Sequence, residues 1–126
     1  MYSKREEIIR NYIEGYNTFN VTQMLQDIHP DISFRNIQNG TETFSLQGKD
    51  SFRKQAEEAL AYFSKRHQEI LKIEHQRQQS TIVIHYSAIA GTNLPNGIKK
   101  GTEMEFKGQS VFIFKNEKIS GLTDIH

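Results

Sequence analysis

Residues 108–126 read GQSVFIFKNEKISGLTDIH. Val111 and Ile113 fall on one side of a two-residue period, Phe112 and Phe114 on the other. Asn116-Glu117 then offers a turn, and Lys118 to His126 returns as a final strand. Just upstream, Ile82, Ile84 and Tyr86 oppose Val83 and Ile89 within Thr81 to Ala90. Strands with apolar residues on both faces are covered on both faces. Helices can cover one. A second copy of the chain is the natural cover for the other, so a homodimer is expected.

Working outward, Thr102 to Phe114 reads as a long strand, joined to Thr81–Ala90 by NLPNGIKKG, residues 93–101. Whether that loop closes over anything as a lid stays open. Residues 69–78 read as a more polar strand. Before them, Phe52, Ala56, Ala59, Leu60 and Phe63 make the apolar stripe of a helix running to about Arg66. Lys65-Arg66-His67 would then complement the negative end of its dipole. Gly48 and Asp50 mark where that helix begins.

The N-terminal part reads as a helix over 4–17, with Ile9, Tyr12, Ile13 and Tyr16 at helical spacing. A shorter helix over 21–28 follows, with Asn20 as its N-cap and Pro30 as its stop. Ile32, Phe34 and Asn36 share one face of the next strand. Asn39-Gly40 is a strong hairpin signal, and Thr43 to Gln47 is the return strand. Three helices in the N-terminal half and a curved antiparallel sheet make an α+β fold, cone-shaped, in one domain over 1–126. Such a cone leaves a hollow suited to a small ligand.

The 126 residues balance 16 Lys/Arg against 15 Asp/Glu, a net charge of +1. That gives no electrostatic reason to expect nucleic acid or an anionic membrane as partner. With no cysteine, disulfides, thiolate catalysis and Cys-based zinc sites are excluded. The N-terminus, MYSKREEIIR, is charged early and lacks an apolar core, so no signal peptide and a cytoplasmic location are expected. The five histidines show no ligand spacing, so no metal is expected. His29-Pro30-Asp31 spells the tripeptide of Hsp40-type co-chaperones, but a strand follows at once and a helix stop explains it. Ser51-Phe52-Arg53-Lys54 matches a serine-enzyme motif without its partner motifs. Asp124 lies two residues from Leu122 on one strand face. If that face points inward, burial raises its pKa and makes it a candidate acid or base; if the strand end frays, Asp124 meets water.

Taken in order, IIRNYIEGYNTFNVTQMLQDIHPDISFRN, LQGKDSFRKQAEEAL and GQSVFIFKNEKISGLTDIH resemble the nuclear transport factor 2-like superfamily over nearly the whole chain. Ketosteroid isomerases and SnoaL-like polyketide cyclases belong to it. The resemblance implies that Tyr12 matches the helix-one oxyanion tyrosine of the isomerases. Their catalytic aspartate falls at Asn36, their second oxyanion donor at Ser110, and a supporting tyrosine at about Ala56. Two of three catalytic groups are thus replaced, and an amide has no basicity at neutral pH. The SnoaL-like cyclases instead imply an acid/base aspartate at Asp124, with Leu122 where a histidine often stands. On this reading Asp124 and Tyr12 are catalytic, and Asn36 and Ser110 orient the ligand. Phe34, Phe63, Phe112 and Leu122 form apolar walls, the ligand is a small apolar carbonyl compound, and no cofactor is expected. A non-catalytic dimeric module, binding a ligand or a protein partner, is the alternative.

Overall fold

A computed structural model describes residues 2–126. The chain runs α1 (Ser3–Asn17), α2 (Val21–Leu25), β1 (Ile28–Gln38), β2 (Thr41–Gln47), α3 (Lys49–Ala59), β3 (Phe63–His75), β4 (Gln79–Ala90), β5 (Glu103–Lys115) and β6 (Lys118–Ile125). One six-stranded sheet takes the order β2-β1-β6-β5-β4-β3. The α+β cone expected from the pattern is present, with one correction. Every adjacent pair is antiparallel except β1 and β6, which run parallel. The sheet is therefore mixed.

Local chemistry sets most boundaries. Asn20 caps α2, its side chain accepting from the Gln23 N–H at 3.0 Å. Asn39 and Gly40 take φ of 52° and 79°, the left-handed pair that a tight hairpin needs. Pro30 lies inside β1, in the gap between Ile28 and Ser33 where the ladder with β6 is interrupted. A residue without an N–H is tolerated there.

Two boundaries differ from the periodic reading. The second helix ends at Leu25, and α3 ends at Ala59. Phe63 through His67 therefore belong to β3, which places Lys65-Arg66-His67 on a strand and not at a helix end.

β4 alternates without a break, with Ser80, Ile82, Ile84, Tyr86, Ala88 and Ala90 turned inward. The core gathers on that concave face, where Ile9, Ile28, Ile32, Ile82, Phe112 and Leu122 are almost fully buried. α1 packs against β3 and α3 against β1, so the helices close the open side of the cone. The convex face keeps apolar side chains exposed, Leu71 at 48% and Ile113 at 46%.

α1 and α2 meet so closely that Gly15 has no room for a methyl group. A Cβ there would lie 2.8 Å from the Met24 backbone nitrogen and 3.1 Å from the Asn20 carbonyl oxygen. Gly15→Ala is expected to lower stability by about 2 kcal/mol, since the overpacking outweighs the better helix propensity. Urea unfolding should show a lower midpoint with an unchanged slope.

Candidate active site

The cone encloses a cavity of about 680 Å³, open at one end. That volume suits a drug-sized organic molecule. Its walls come from all three helices and the sheet, and Leu94, Asn96 and Ile98 of the 93–101 loop border it. Rings dominate the lining. Tyr86, Phe106 and His126 stack in series, with centroids 4.7 Å and 4.9 Å apart.

Asp124 reaches this cavity from β6, because the inward face of Leu122 continues two residues on. It is half-buried, and the exposure it keeps is toward the cavity. Ser110, directly opposite on β5, donates from Oγ to Asp124 Oδ1 at 2.7 Å. Burial raises the carboxyl from its ordinary 3.8 to about 6, and the Ser110 hydrogen bond works against that rise. The second oxygen has no hydrogen-bond partner among the described residues, and no buried side-chain oxygen or nitrogen there is sealed without one. It therefore opens on the cavity.

Tyr12 projects from α1 with its ring edge-on to Phe112 at 6.0 Å. Burial first, and the Asp124 charge second, push its phenol well above the ordinary range, with Arg66 opposing. Tyr12 is therefore a protonated donor at neutral pH. Its hydroxyl makes no hydrogen bond among the described residues and faces the cavity.

Asn36 borders the cavity with its amide already engaged. Its Nδ2 donates to Thr43 Oγ1 at 2.7 Å, and its Oδ1 lies 3.2 Å from His126 Nε2. An amide oxygen only accepts, so His126 donates from Nε2 and keeps Nδ1 as a lone pair. Burial lowers the His126 pKa, which favours this neutral form.

The structure thus brings Tyr12, Phe34, Asn36, Phe63, Ser110 and Asp124 to one cavity. Phe112 and Leu122, expected as walls, are 0% and 1% exposed and lie beneath it in the core. Ser110 gives its hydroxyl proton to Asp124, and Asn36 bonds Thr43 and His126, so each also positions a protein group at the cavity. Several lining residues escaped the sequence reading, Arg66 and His126 among them. His126 carries no spacing signal, although it shares the two-residue period of Leu122 and Asp124. Arg66 was hidden by the misplaced end of α3. Among the described residues no three acidic or histidine side chains gather as a metal site, and no helix is long and apolar enough to cross a membrane.

These features define a cone-shaped α+β protein built around a largely apolar cavity, with a carboxyl raised by burial, that of Asp124, in its wall. The SnoaL-like domain family matches residues 9–122, and the chain belongs to that family. No curated protein matches the sequence. Among solved structures, it is similar to a putative polyketide cyclase from Xanthomonas campestris pv. campestris, with TM-score 0.81 and 11% identity, covering 98% of this chain and 90% of that one. An LEH-like epoxide hydrolase from M. tuberculosis gives 0.78 at 10% identity, covering 98% and 82%. A protein of ketosteroid isomerase-like fold from Catenulispora acidiphila, in complex with trimethylamine, gives 0.77 at 14% identity, covering 95% and 85%. At these identities the likeness shows the shared fold.

The raised carboxyl has a consequence for stability. Asp124 titrates at about 6 in the folded chain against an ordinary 3.8, so the folded state holds the proton more tightly. That advantage is complete below the ordinary value and is lost as pH rises through the folded one. Above it the ionised carboxylate lowers stability by about 3 kcal/mol. Asp124→Asn should therefore exceed the wild type by up to that amount at pH 8 and by little at pH 4, in urea unfolding at both.

Proposed function

We propose that the cavity binds a small apolar carbonyl compound and moves a proton on it, as an isomerase or cyclase does. The observation that carries this reading is Asp124, whose free oxygen opens on the cavity that also holds the unengaged Tyr12 hydroxyl. Asp124 takes a proton from the carbon next to the carbonyl, and that C–H electron pair shifts to make an enolate. Tyr12 donates a hydrogen bond to the developing oxyanion. The enolate carbon then attacks a second carbonyl, whose alkoxide takes the proton back from Asp124; where a double bond adjoins the enolate, Asp124 instead returns the proton to the γ-carbon of the dienolate. Such chemistry needs no cofactor. The putative polyketide cyclase among the structural relatives supports this direction by its name, and the trimethylamine complex supports a small-molecule cavity.

Asp124→Asn separates catalysis from binding, since it removes charge with little change in shape. Turnover of a substrate should fall about 10²- to 10⁴-fold with the dissociation constant nearly unchanged. Tyr12→Phe should cost about 10²- to 10³-fold. In the wild type kcat/KM should rise through pH of about 6, as Asp124 ionises, and level off above it. If Asp124→Asn leaves turnover intact, acid/base chemistry at this residue is ruled out. Binding of carbonyl compounds by the wild type with turnover of none of them would instead make the protein a binding module.

We also propose a homodimer through the convex sheet face, where Ile113 and Leu71 are exposed and Val83 and Val111 are partly so. Sedimentation equilibrium should give twice 14.7 kDa, and Ile113→Asp should give a monomer. A monomeric wild type at high micromolar concentration would sink this reading.

A further inference from the structure

Among the described residues Arg66 is the one buried side chain that carries a charge, 5% exposed near the start of β3. Its Nε donates to the Tyr16 carbonyl at 2.8 Å, and its guanidinium carbon lies 3.8 Å from the Tyr16 ring centroid and 4.5 Å from that of Phe19. One Nη2 hydrogen points at the Met24 sulfur, 4.0 Å away. The ion pairs of the described residues do not include it. A guanidinium has five N–H groups. One is taken by Tyr16 and one turned to sulfur, so three have no protein partner among the described residues. Nη1 carries two of these, has no partner and is not sealed, and Arg66 lines the cavity, so Nη1 opens on it.

Part of this arrangement is structural. Tyr16 contributes one of the last carbonyls of α1, whose last turn contains no basic residue. Arg66 supplies the cation there and complements the helix dipole. That role explains Nε. It does not explain unspent donors aimed into an apolar hollow, where a buried charge lacking a counter-charge is strongly unfavourable. The planar fork of a guanidinium matches a carboxylate with two parallel hydrogen bonds.

We propose that the ligand of this cavity carries a carboxylate that docks on Arg66, with its apolar body running along Tyr86 and Phe106 toward Asp124. The proposal rests on the small-molecule reading above and narrows its substrate class to apolar carbonyl acids. A single fork suits a monoanion; a phosphate would need more donors than this wall offers. β3 and β6 stand three strands apart in the sheet order, about 14 Å along the sheet, so the ligand acid is kept away from the Asp124 charge. Glu103 and Glu105 border the cavity from β5, and Glu105 is held by His85 at 2.7 Å.

The test uses matched probes: 1-naphthylacetate, 4-phenylbutyrate and decanoate, each beside the alcohol of the same skeleton, titrated by calorimetry. At least one acid should bind tenfold or more tighter than its alcohol. Arg66→Met should remove that preference and leave alcohol affinity within about twofold. Should Arg66→Met not fold, judged by circular dichroism, Arg66→Lys keeps the charge and loses the fork. The acid should then weaken severalfold and the alcohol should hold. Equal binding of acid and alcohol, or equal losses for both in the variants, would overturn the proposal and leave Arg66 as the end-piece of α1. It would leave the proton-transfer reading standing, since the cavity would still bind. No binding by any probe counts against both.

Discussion

The parallel pairing of β1 with β6 is the constraint on which the rest of the molecule depends. It joins the first half of the chain, α1 to α3 with the β1–β2 hairpin, to the meander of β3 to β6. Hydrogen bonds fasten it at both ends. The Ile119 N–H donates to the Asp27 carbonyl at 2.7 Å, and the His126 and Asn39 amides exchange bonds with Ile37 and His126 at 2.9 Å. Its register sets Phe34 beside Leu122 and Asn36 beside Asp124. Without that seam there is no cone, and the wall holding Asp124 is an open sheet edge.

Enclosure then decides the electrostatics. Desolvation is the largest influence on Asp124, Tyr12, Tyr16 and Tyr86, and in each case it favours the neutral form. For the tyrosines this preserves donors. Tyr16 and Tyr86 share one hydrogen bond at 2.8 Å, in which either hydroxyl can be the donor, while Tyr12 keeps its own free. For Asp124 it leaves a carboxylate that ionises near neutrality and is a stronger base than an exposed one. Ser110 prevents the rise from going further. A serine on one strand and an aspartate on its neighbour thus tune one pKa between them, and the tuning depends on register.

Register is also what separates the legible from the illegible part of this sequence. Alternation along Ile82–Ala90 and Leu122–Asp124 shows which residues share a face, because the two-residue period is local, though not which face turns inward. Asn39-Gly40 and Asn20 worked for the same reason: their chemistry acts within three residues. Leu60 and Phe63 continue the apolar spacing of α3 with no Gly or Pro to stop it, although α3 ends at Ala59 and β3 begins at Phe63. That spacing puts Arg66 at a solvated helix end. The parallel seam had no local mark, so neither the mixed sheet nor the contact of Asn36 with His126 could be seen. Phe112 was placed in the right layer at the wrong depth, since alternation tells side from side and not wall from floor.

The seam also explains why an amide suits position 36. Asn36 and Asp124 are register partners on adjacent strands, at a spacing of about 4.8 Å. A second carboxylate there would face the first across a low-dielectric wall, and the pair would share one proton over a wide pH range. Asn36 avoids that coupling. It instead gives His126 an uncharged acceptor, held in place by Thr43, and leaves one carboxylate to titrate alone. The raised carboxyl stands one strand across the sheet from the amide, and Asn36 leaves it without a second acid at its side.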